Sequence, residues 1–188
     1  AGMDIEVPRE YEMTKQIRVI LADDHAVVRQ GIARFLEEDP AIDVVAEASD
    51  GAEAVRLVDE HRPDVAVLDI RMPDVTGVEA TRRIKENVPD TYVLILTAYD
   101  DDPYVFALLE AGADGYVLKT ASADELVAAV HTVHRGQSAL SPEVASKVVQ
   151  QATGGRPAGA ADQVEALTPR EIDVLRLVAE GMTNRAAG

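Results

Sequence analysis

The sequence predicts an α/β fold in which helices cover both faces of a five-stranded parallel sheet. Short apolar runs rich in β-branched residues alternate along the chain with segments of helical periodicity. The runs start 22 to 27 residues apart, which leaves room for one helix between successive strands. Each run is continuously apolar at its centre, as expected for strands that are buried on both faces. These features favour a doubly wound sheet over a sandwich.

The elements follow one another in regular order. The predicted strands are IRVILA (17–22), IDVVAEA (42–48), DVAVLD (64–69), TYVLILT (91–97) and DGYVLK (114–119). The predicted helices span residues 26–37, 51–61, 77–87, 102–111 and 123–134. Each of the first four helices is thereby expected to be a crossover between parallel strands.

Two further segments are predicted after the last of these helices. A linker helix is expected from Ser141 to Gln151, because Ser141 suits the N-cap and Pro142 the first helical position. The stretch TGGRPAGAAD, residues 153–162, offers little to bury and is typical of a flexible linker. Residues 136–162 are therefore expected to be a linker helix and a flexible linker.

The C-terminal stretch LTPREIDVLRLVAEG has the marks of a well-delimited helix. Thr168 is placed as its N-cap, Pro169 occupies its first position and Glu171 completes a capping box. Gly181 ends the apolar stripe.

Composition limits the classes of function. The 34 acidic and 18 basic side chains give a net charge of −16, which favours a cation or a basic protein surface as partner of the main body. There is no cysteine, so neither a disulfide nor a thiolate zinc site is possible.

Residues 1–16 are polar and are expected to be a disordered leader rather than a signal peptide. No apolar run approaches the ~20 residues of a membrane span, so we expect a cytoplasmic protein without a membrane partner.

Polar side chains stand at the carboxyl ends of four predicted strands. Asp23 and Asp24 follow the first strand, Asp69 ends the third, Thr97 ends the fourth and Lys119 ends the fifth. One such residue alone is more often part of a turn. In a parallel sheet, however, these ends meet at the edge where ligands bind. Clustered carboxylates suit Mg²⁺, and a lysine with a threonine suits phosphate, so the joint pattern predicts a site for phosphoryl transfer to a carboxylate.

The motifs LADDH, LDIRMPDVTG, LTAY and GYVLKT together resemble the receiver domain of two-component response regulators, over about residues 17–135. The resemblance implies a flavodoxin-like fold and a phosphoryl acceptor, Asp69, that is served by a sensor histidine kinase or a small acyl phosphate. It also implies a Mg²⁺ site formed by Asp23, Asp24, Asp69 and the backbone carbonyl of Arg71.

The same resemblance assigns roles to the remaining site residues. Lys119 would contact the phosphoryl group, and Thr97 with Tyr116 would form a switch pair that reshapes a nearby surface. A phosphorylation-dependent homodimer is expected. Pro73 and Gly77 match the loop after the acceptor, where a rigid turn and a flexible backbone are needed.

Residues 163–188 resemble the start of the LuxR-type helix-turn-helix, which places the chain with regulators of the NarL/FixJ type. The resemblance implies that the complete protein binds DNA. The recognition helix of that family is not found in these residues, so we expect no sequence-specific DNA binding by the 188-residue chain.

Two other functions compete with this interpretation. An aspartate-nucleophile phosphatase of the haloacid dehalogenase kind would carry a second aspartate two residues after the first, where this chain has Arg71. A receiver-like interaction module that is never phosphorylated would have a vestigial acid pocket. His25, which follows the acid pair, is expected to be a solvated loop residue.

Overall fold

The computed structural model describes residues 15–98, 102–142 and 144–146, with the side chains of Asp102 and Pro103 excepted. The described strands are β1 (Ile17–Ala22), β2 (Ile42–Ala48), β3 (Val65–Asp69), β4 (Tyr92–Thr97), β5 (Gly115–Leu118) and β6 (Ala139–Leu140). The described helices are α1 (Ala26–Glu37), α2 (Gly51–His61), α3 (Gly77–Asn87), α4 (Asp102–Glu110) and α5 (Ala123–His134). The predicted alternation of strands and helices is confirmed.

The strands form one parallel sheet in the order β2-β1-β3-β4-β5-β6. The chain first adds β2 on one side of β1 and then adds β3 on the other, so the strand order reverses between β1 and β3. Loops leave this point in opposite directions and open a crevice at the carboxyl ends of the strands. Ala22 of β1 pairs with Leu68 of β3, so the residues that follow them, Asp23 and Asp69, lie at the same level.

The prediction of five strands omitted a sixth. Ala139 and Leu140 form β6, a two-residue strand that pairs in parallel with Gly115 and Tyr116 of β5. Two residues are too few to produce a recognisable strand pattern. Contact with β5 creates this strand: a Cβ on Gly115 would lie 3.0 Å from the carbonyl oxygen of Ala139, so the two backbones run close together.

Helices cover both faces of the sheet. On one face, buried side chains of α2, α3 and α4 pack against β1, β3, β4 and β5 in a single apolar cluster. On the other face, α1 and α5 form a second cluster with alternate residues of the same strands. The central strands therefore contribute to two cores, which explains their continuously apolar sequences.

Capping side chains determine where the helices begin. Asp50, Thr76 and Ser122 each accept a hydrogen bond from the backbone N–H three residues ahead, at the starts of α2, α3 and α5. At α5 the Glu125 carboxylate accepts the Ser122 N–H in return, which completes a capping box. These caps satisfy backbone donors that the helices leave unpaired.

Several predicted segments extend beyond the described residues. Of the helix predicted from Ser141 to Gln151, residues 142 and 144–146 are described as helical, and the Ala145 N–H donates to the Ser141 carbonyl at 2.9 Å. Residues 1–14, the flexible linker and the C-terminal helix lie outside the described ranges, so those assignments stay predictions. Among the described helices, none is both long enough and apolar enough to span a bilayer.

Gly77 begins α3 where the helix packs against the end of β3. A Cβ there would lie 2.8 Å from the Ile70 Cα and would clash with the carbonyl oxygen of Asp69. The Gly77 N–H donates to the Ile70 carbonyl at 2.9 Å, which fixes this approach. A glycine is thus required here by backbone contact and not by a left-handed conformation.

We expect Gly77→Ala to lower the free energy of unfolding by about 2 kcal/mol, because the added methyl group forces α3 away from β3. Gly31→Ala, in α1, is the matched control, since a Cβ there meets nothing within 4 Å. It should raise stability by about 0.5–1 kcal/mol through helix propensity. Urea unfolding followed by circular dichroism measures both, and equal effects of the two substitutions would contradict the packing argument.

Candidate functional site

The crevice at the strand-order reversal contains three carboxylates from two strands. Asp69 ends β3 and is buried, and Asp23 follows β1 and is only 1% exposed. The side chain of Asp24, the next residue, is 33% exposed. Buried carboxylates need a cationic or hydrogen-bonded partner, so this edge of the sheet requires positive charge or hydrogen-bond donors.

Lys119 supplies that charge in the structure. Its Nζ donates to Asp23 Oδ2 at 2.5 Å and to Asp69 Oδ2 at 2.9 Å. Lys119 lies one residue beyond β5, and its backbone N–H donates to the carbonyl oxygen of Thr97 at 2.6 Å. The ammonium group thus reaches across β4 to join the ends of β1 and β3.

Burial governs the ionisation of this cluster. Desolvation raises the pKa of Asp69 above its usual range, and the nearby Asp23 charge adds to the rise. The hydrogen bond and charge of Lys119, with the backbone N–H of Arg71, oppose this change without cancelling it. For Lys119, desolvation acts to lower the pKa, but the hydrogen bonds and charges of Asp23 and Asp69 outweigh it and raise the pKa.

The β1–α1 loop brings a histidine into the cluster. The His25 N–H donates to Asp23 Oδ1 at 2.8 Å, and the His25 Nδ1 lies 2.7 Å from Asp24 Oδ1. Asp23, Asp24, His25 and Asp69 each offer a ligand atom within 4.8 Å of the others. The prediction that His25 is exposed agrees with its 70% exposed side chain, but its contact with Asp24 was missed. The sequence signal was its position directly after the acid pair.

The donor set fits Mg²⁺. Three carboxylates from Asp23, Asp24 and Asp69 converge, and carboxylate oxygens are the ligands that this cation takes in proteins. They hold more negative charge than one lysine neutralises. The backbone N–H of Arg71 bonds to Asp69, which keeps the loop after β3 beside the cluster. Coordination by the Arg71 carbonyl stays a prediction.

Thr97 and Tyr116 lie on β4 and β5, the two strands that follow β3 in the sheet. Thr97 ends β4 one step beyond Leu96, the partner of Asp69, and is buried. Tyr116 in β5 pairs with Ile95, and its ring is buried in the same apolar cluster as α2, α3 and α4. The structure therefore places the Thr97 hydroxyl at the carboxyl edge of the sheet and the Tyr116 ring in the core on the α4 side.

Comparison with known proteins identifies relatives of the chain. The response regulator receiver domain family matches residues 19–131. The transcriptional regulatory protein LiaR of Bacillus subtilis is 44% identical over 173 residues, which cover 92% of this chain and 81% of LiaR.

Solved structures agree with this match. A LuxR-family two-component response regulator from Aurantimonas is similar with a TM-score of 0.70 and 38% identity, covering 73% of this chain and 99% of that one. The receiver domain of RcsB from Salmonella enterica serovar Typhimurium, determined with the phosphomimetic BeF₃⁻, gives a TM-score of 0.65 at 26% identity, covering 71% and 99%.

In metal-free buffer at pH 7 we expect Asp69→Asn to raise the free energy of unfolding by on the order of 1 kcal/mol. The folded-state pKa of Asp69 is raised, so its charged form destabilises the fold at every pH above that pKa. As the pH falls through the folded pKa towards the unfolded one, wild type becomes neutral at this position and the difference disappears.

Urea unfolding at a series of pH values measures this effect. Asp74→Asn, an exposed acid in the following loop, is the matched control and should change stability by less than about 0.5 kcal/mol. A stabilisation by Asp69→Asn that grew at acid pH would contradict the burial argument.

Proposed function

This chain belongs to the response regulator receiver domain family, among LuxR-family members that regulate transcription in two-component signalling, and we propose from this premise that Asp69 is its phosphoryl acceptor. The observation that carries the proposal is the placement of Asp69. It is a buried carboxylate at the strand-order reversal, bonded to Lys119 and surrounded by the donors of a cation site. A sensor histidine kinase is the proposed physiological donor.

The proposed reaction is a direct transfer. An Asp69 carboxylate oxygen attacks the phosphorus of the donor, a P–O bond to Asp69 forms, and the bond from phosphorus to the donor nitrogen or oxygen breaks. Lys119 stays close enough to Asp69 to pair with the new phosphoryl oxygens. The chain is proposed to catalyse only its own phosphorylation and dephosphorylation.

Asp23, Asp24 and Asp69 would hold the Mg²⁺ ion, with the Arg71 carbonyl as a further ligand. When bound, the ion neutralises negative charge between the acceptor and the incoming phosphoryl group. Because Lys119 already neutralises part of the cluster, Asp23 and Asp69 would serve both the ammonium group and the ion. Their joint presence lets an acidic site accept a dianionic group.

The switch is proposed to act through Thr97 and Tyr116. Once Asp69 is phosphorylated, its phosphoryl oxygens would accept a hydrogen bond from the Thr97 hydroxyl. The buried Tyr116 ring occupies the core beside α4, so a rearrangement at Thr97 is transmitted to that helix. A change of the receiver surface then drives homodimer formation.

We further propose that residues 163–188 belong to a LuxR-type DNA-binding unit that carries the transcriptional output, joined to the receiver domain (17–135) by the linker. In this proposal the protein acts in the cytoplasm, where its kinase and DNA partners meet it. LiaR, of which 81% is matched by this chain, is a transcriptional regulatory protein.

Intact-mass spectrometry after incubation with acetyl phosphate and Mg²⁺ tests the acceptor. We expect a gain of one phosphoryl group, ~80 Da, that is labile as an acyl phosphate and requires the cation. Asp69→Asn should abolish the gain, whereas Asp74→Asn should retain it. A gain that persists in Asp69→Asn would assign the acceptor elsewhere, and no gain in wild type from either acetyl phosphate or a kinase would favour the vestigial-module alternative.

Sedimentation velocity tests the proposed dimer. Beryllium fluoride with Mg²⁺ should convert the wild-type chain from monomer to dimer, because the mimic occupies the acceptor as a phosphoryl group would. Asp69→Asn under the same conditions should stay monomeric. A wild-type chain that sediments identically with and without the mimic would refute dimerisation as the output.

A further inference from the structure

Arg29, in the first turn of α1, connects three parts of the fold beside the site. One of its guanidinium nitrogens donates to the backbone carbonyl oxygen of Asp23 at 2.6 Å. Its Nε donates to a carboxylate oxygen of Glu47 in β2 at 3.1 Å. The side chain is 17% exposed, which is low for an arginine. Arg29 thus joins α1, the end of β1 and the neighbouring strand.

The carbonyl that Arg29 binds belongs to the peptide between two predicted cation ligands. The Asp23 N–H still donates to the Ala48 carbonyl at 3.2 Å, so the chain is part of the sheet up to this residue. Beyond it the chain turns into α1. Because a peptide unit is planar, fixing the Asp23 oxygen also fixes the direction in which the backbone enters Asp24.

The position of the Asp24 carboxylate depends on the backbone more than the positions of the Asp23 and Asp69 carboxylates do. Asp23 and Asp69 both accept hydrogen bonds from Lys119. The contact that the structure shows for the Asp24 carboxylate is with His25, whose side chain is 70% exposed. A well-solvated partner orients a carboxylate weakly. The position of Asp24 is therefore determined by its backbone, which is held on one side by the bond of Arg29 to the Asp23 carbonyl and on the other by the bond of the His25 N–H to Asp23 Oδ1.

We propose that Arg29 is a positioning residue for the cation site, holding Asp24 in place through the carbonyl oxygen of Asp23. The inference deepens the proposed Mg²⁺-dependent phosphorylation and rests on it. Arg29 suits this role because its guanidinium donates in two fixed directions at once, to the loop carbonyl and to Glu47. In other metal sites, residues that orient the metal ligands without binding the metal themselves raise the metal affinity about 10- to 100-fold.

The sign of the effect separates positioning from simple charge. Arg29 is a cation near a cation site, so Coulomb repulsion alone predicts tighter Mg²⁺ binding when it is removed. Positioning predicts weaker binding instead. Arg34→Met removes the same charge from an exposed position one and a half turns further along α1 and reports the Coulomb effect by itself.

Mg²⁺ titrations of the full chain, followed through the backbone amide NMR signals of the β1–α1 loop, measure the affinity directly. We expect Arg29→Met to weaken Mg²⁺ binding about 10-fold. Arg29→Lys should recover part of the affinity, because an ammonium group can still donate to the Asp23 carbonyl. Arg34→Met should bind as wild type or slightly tighter. An unchanged or tighter affinity in folded Arg29→Met would overturn the proposal, as would an equal loss in Arg34→Met.

The rate of phosphorylation by acetyl phosphate at increasing Mg²⁺ gives a second readout. Arg29→Met should need about 10-fold more Mg²⁺ for half-maximal rate and reach a plateau within about twofold of wild type, since Asp69 and Lys119 are intact. A lowered plateau with unchanged Mg²⁺ dependence would contradict positioning.

Two further outcomes, an unfolded variant and a wild type that is not phosphorylated, can be told apart from a failure of the proposal. If Arg29→Met loses the helical circular dichroism of wild type, Arg29→Gln carries the test, because its shorter neutral side chain lacks the two fixed donor directions of a guanidinium, and an Mg²⁺ affinity equal to wild type in that variant would overturn the proposal. If wild type binds Mg²⁺ but gains no phosphoryl group, the proposed function fails, while the NMR titrations still decide the role of Arg29.

Discussion

The bridge from Lys119 to Asp23 and Asp69 is the interaction on which this site depends. Two buried carboxylates at adjacent strand ends would repel each other and lose hydration, and the ammonium group offsets both effects. The bridge leaves the pKa of Asp69 raised, so the site stores unfavourable charge rather than relieving it fully. The cluster is therefore already assembled and keeps negative charge that a cation would neutralise.

The fold creates this bridge through its strand order. Asp23 and Asp69 come from strands that neighbour each other at the reversal, and Lys119 reaches them from the far side of β4. Two apolar layers hold the strands in register, and close backbone packing at Gly77 fixes the loop after Asp69. Rigid strands with short loops are the arrangement that positions reacting groups most accurately.

Residues outside the acidic cluster also contact the loops and strands that form the site. Arg29 approaches from α1 and binds the backbone, whereas Thr97 and Tyr116 lie on strands that lead towards α4. One side of the crevice is thus proposed to hold the cation ligands still, and the other side is proposed to move once Asp69 is modified. A signalling domain needs this division, because the acceptor must be preorganised while its output surface has two states.

The sequence alone determined the doubly wound fold and the residues at the strand ends, because strand periodicity and a polar residue that follows an apolar run are local signals. It could not reveal β6, whose two residues form a strand only when β5 lies beside them. Three side-chain contacts were likewise not visible in the sequence. They join His25 to Asp24, Lys119 to two carboxylates, and Arg29 to the Asp23 carbonyl. Such contacts depend on side-chain direction and burial, which only the tertiary structure decides.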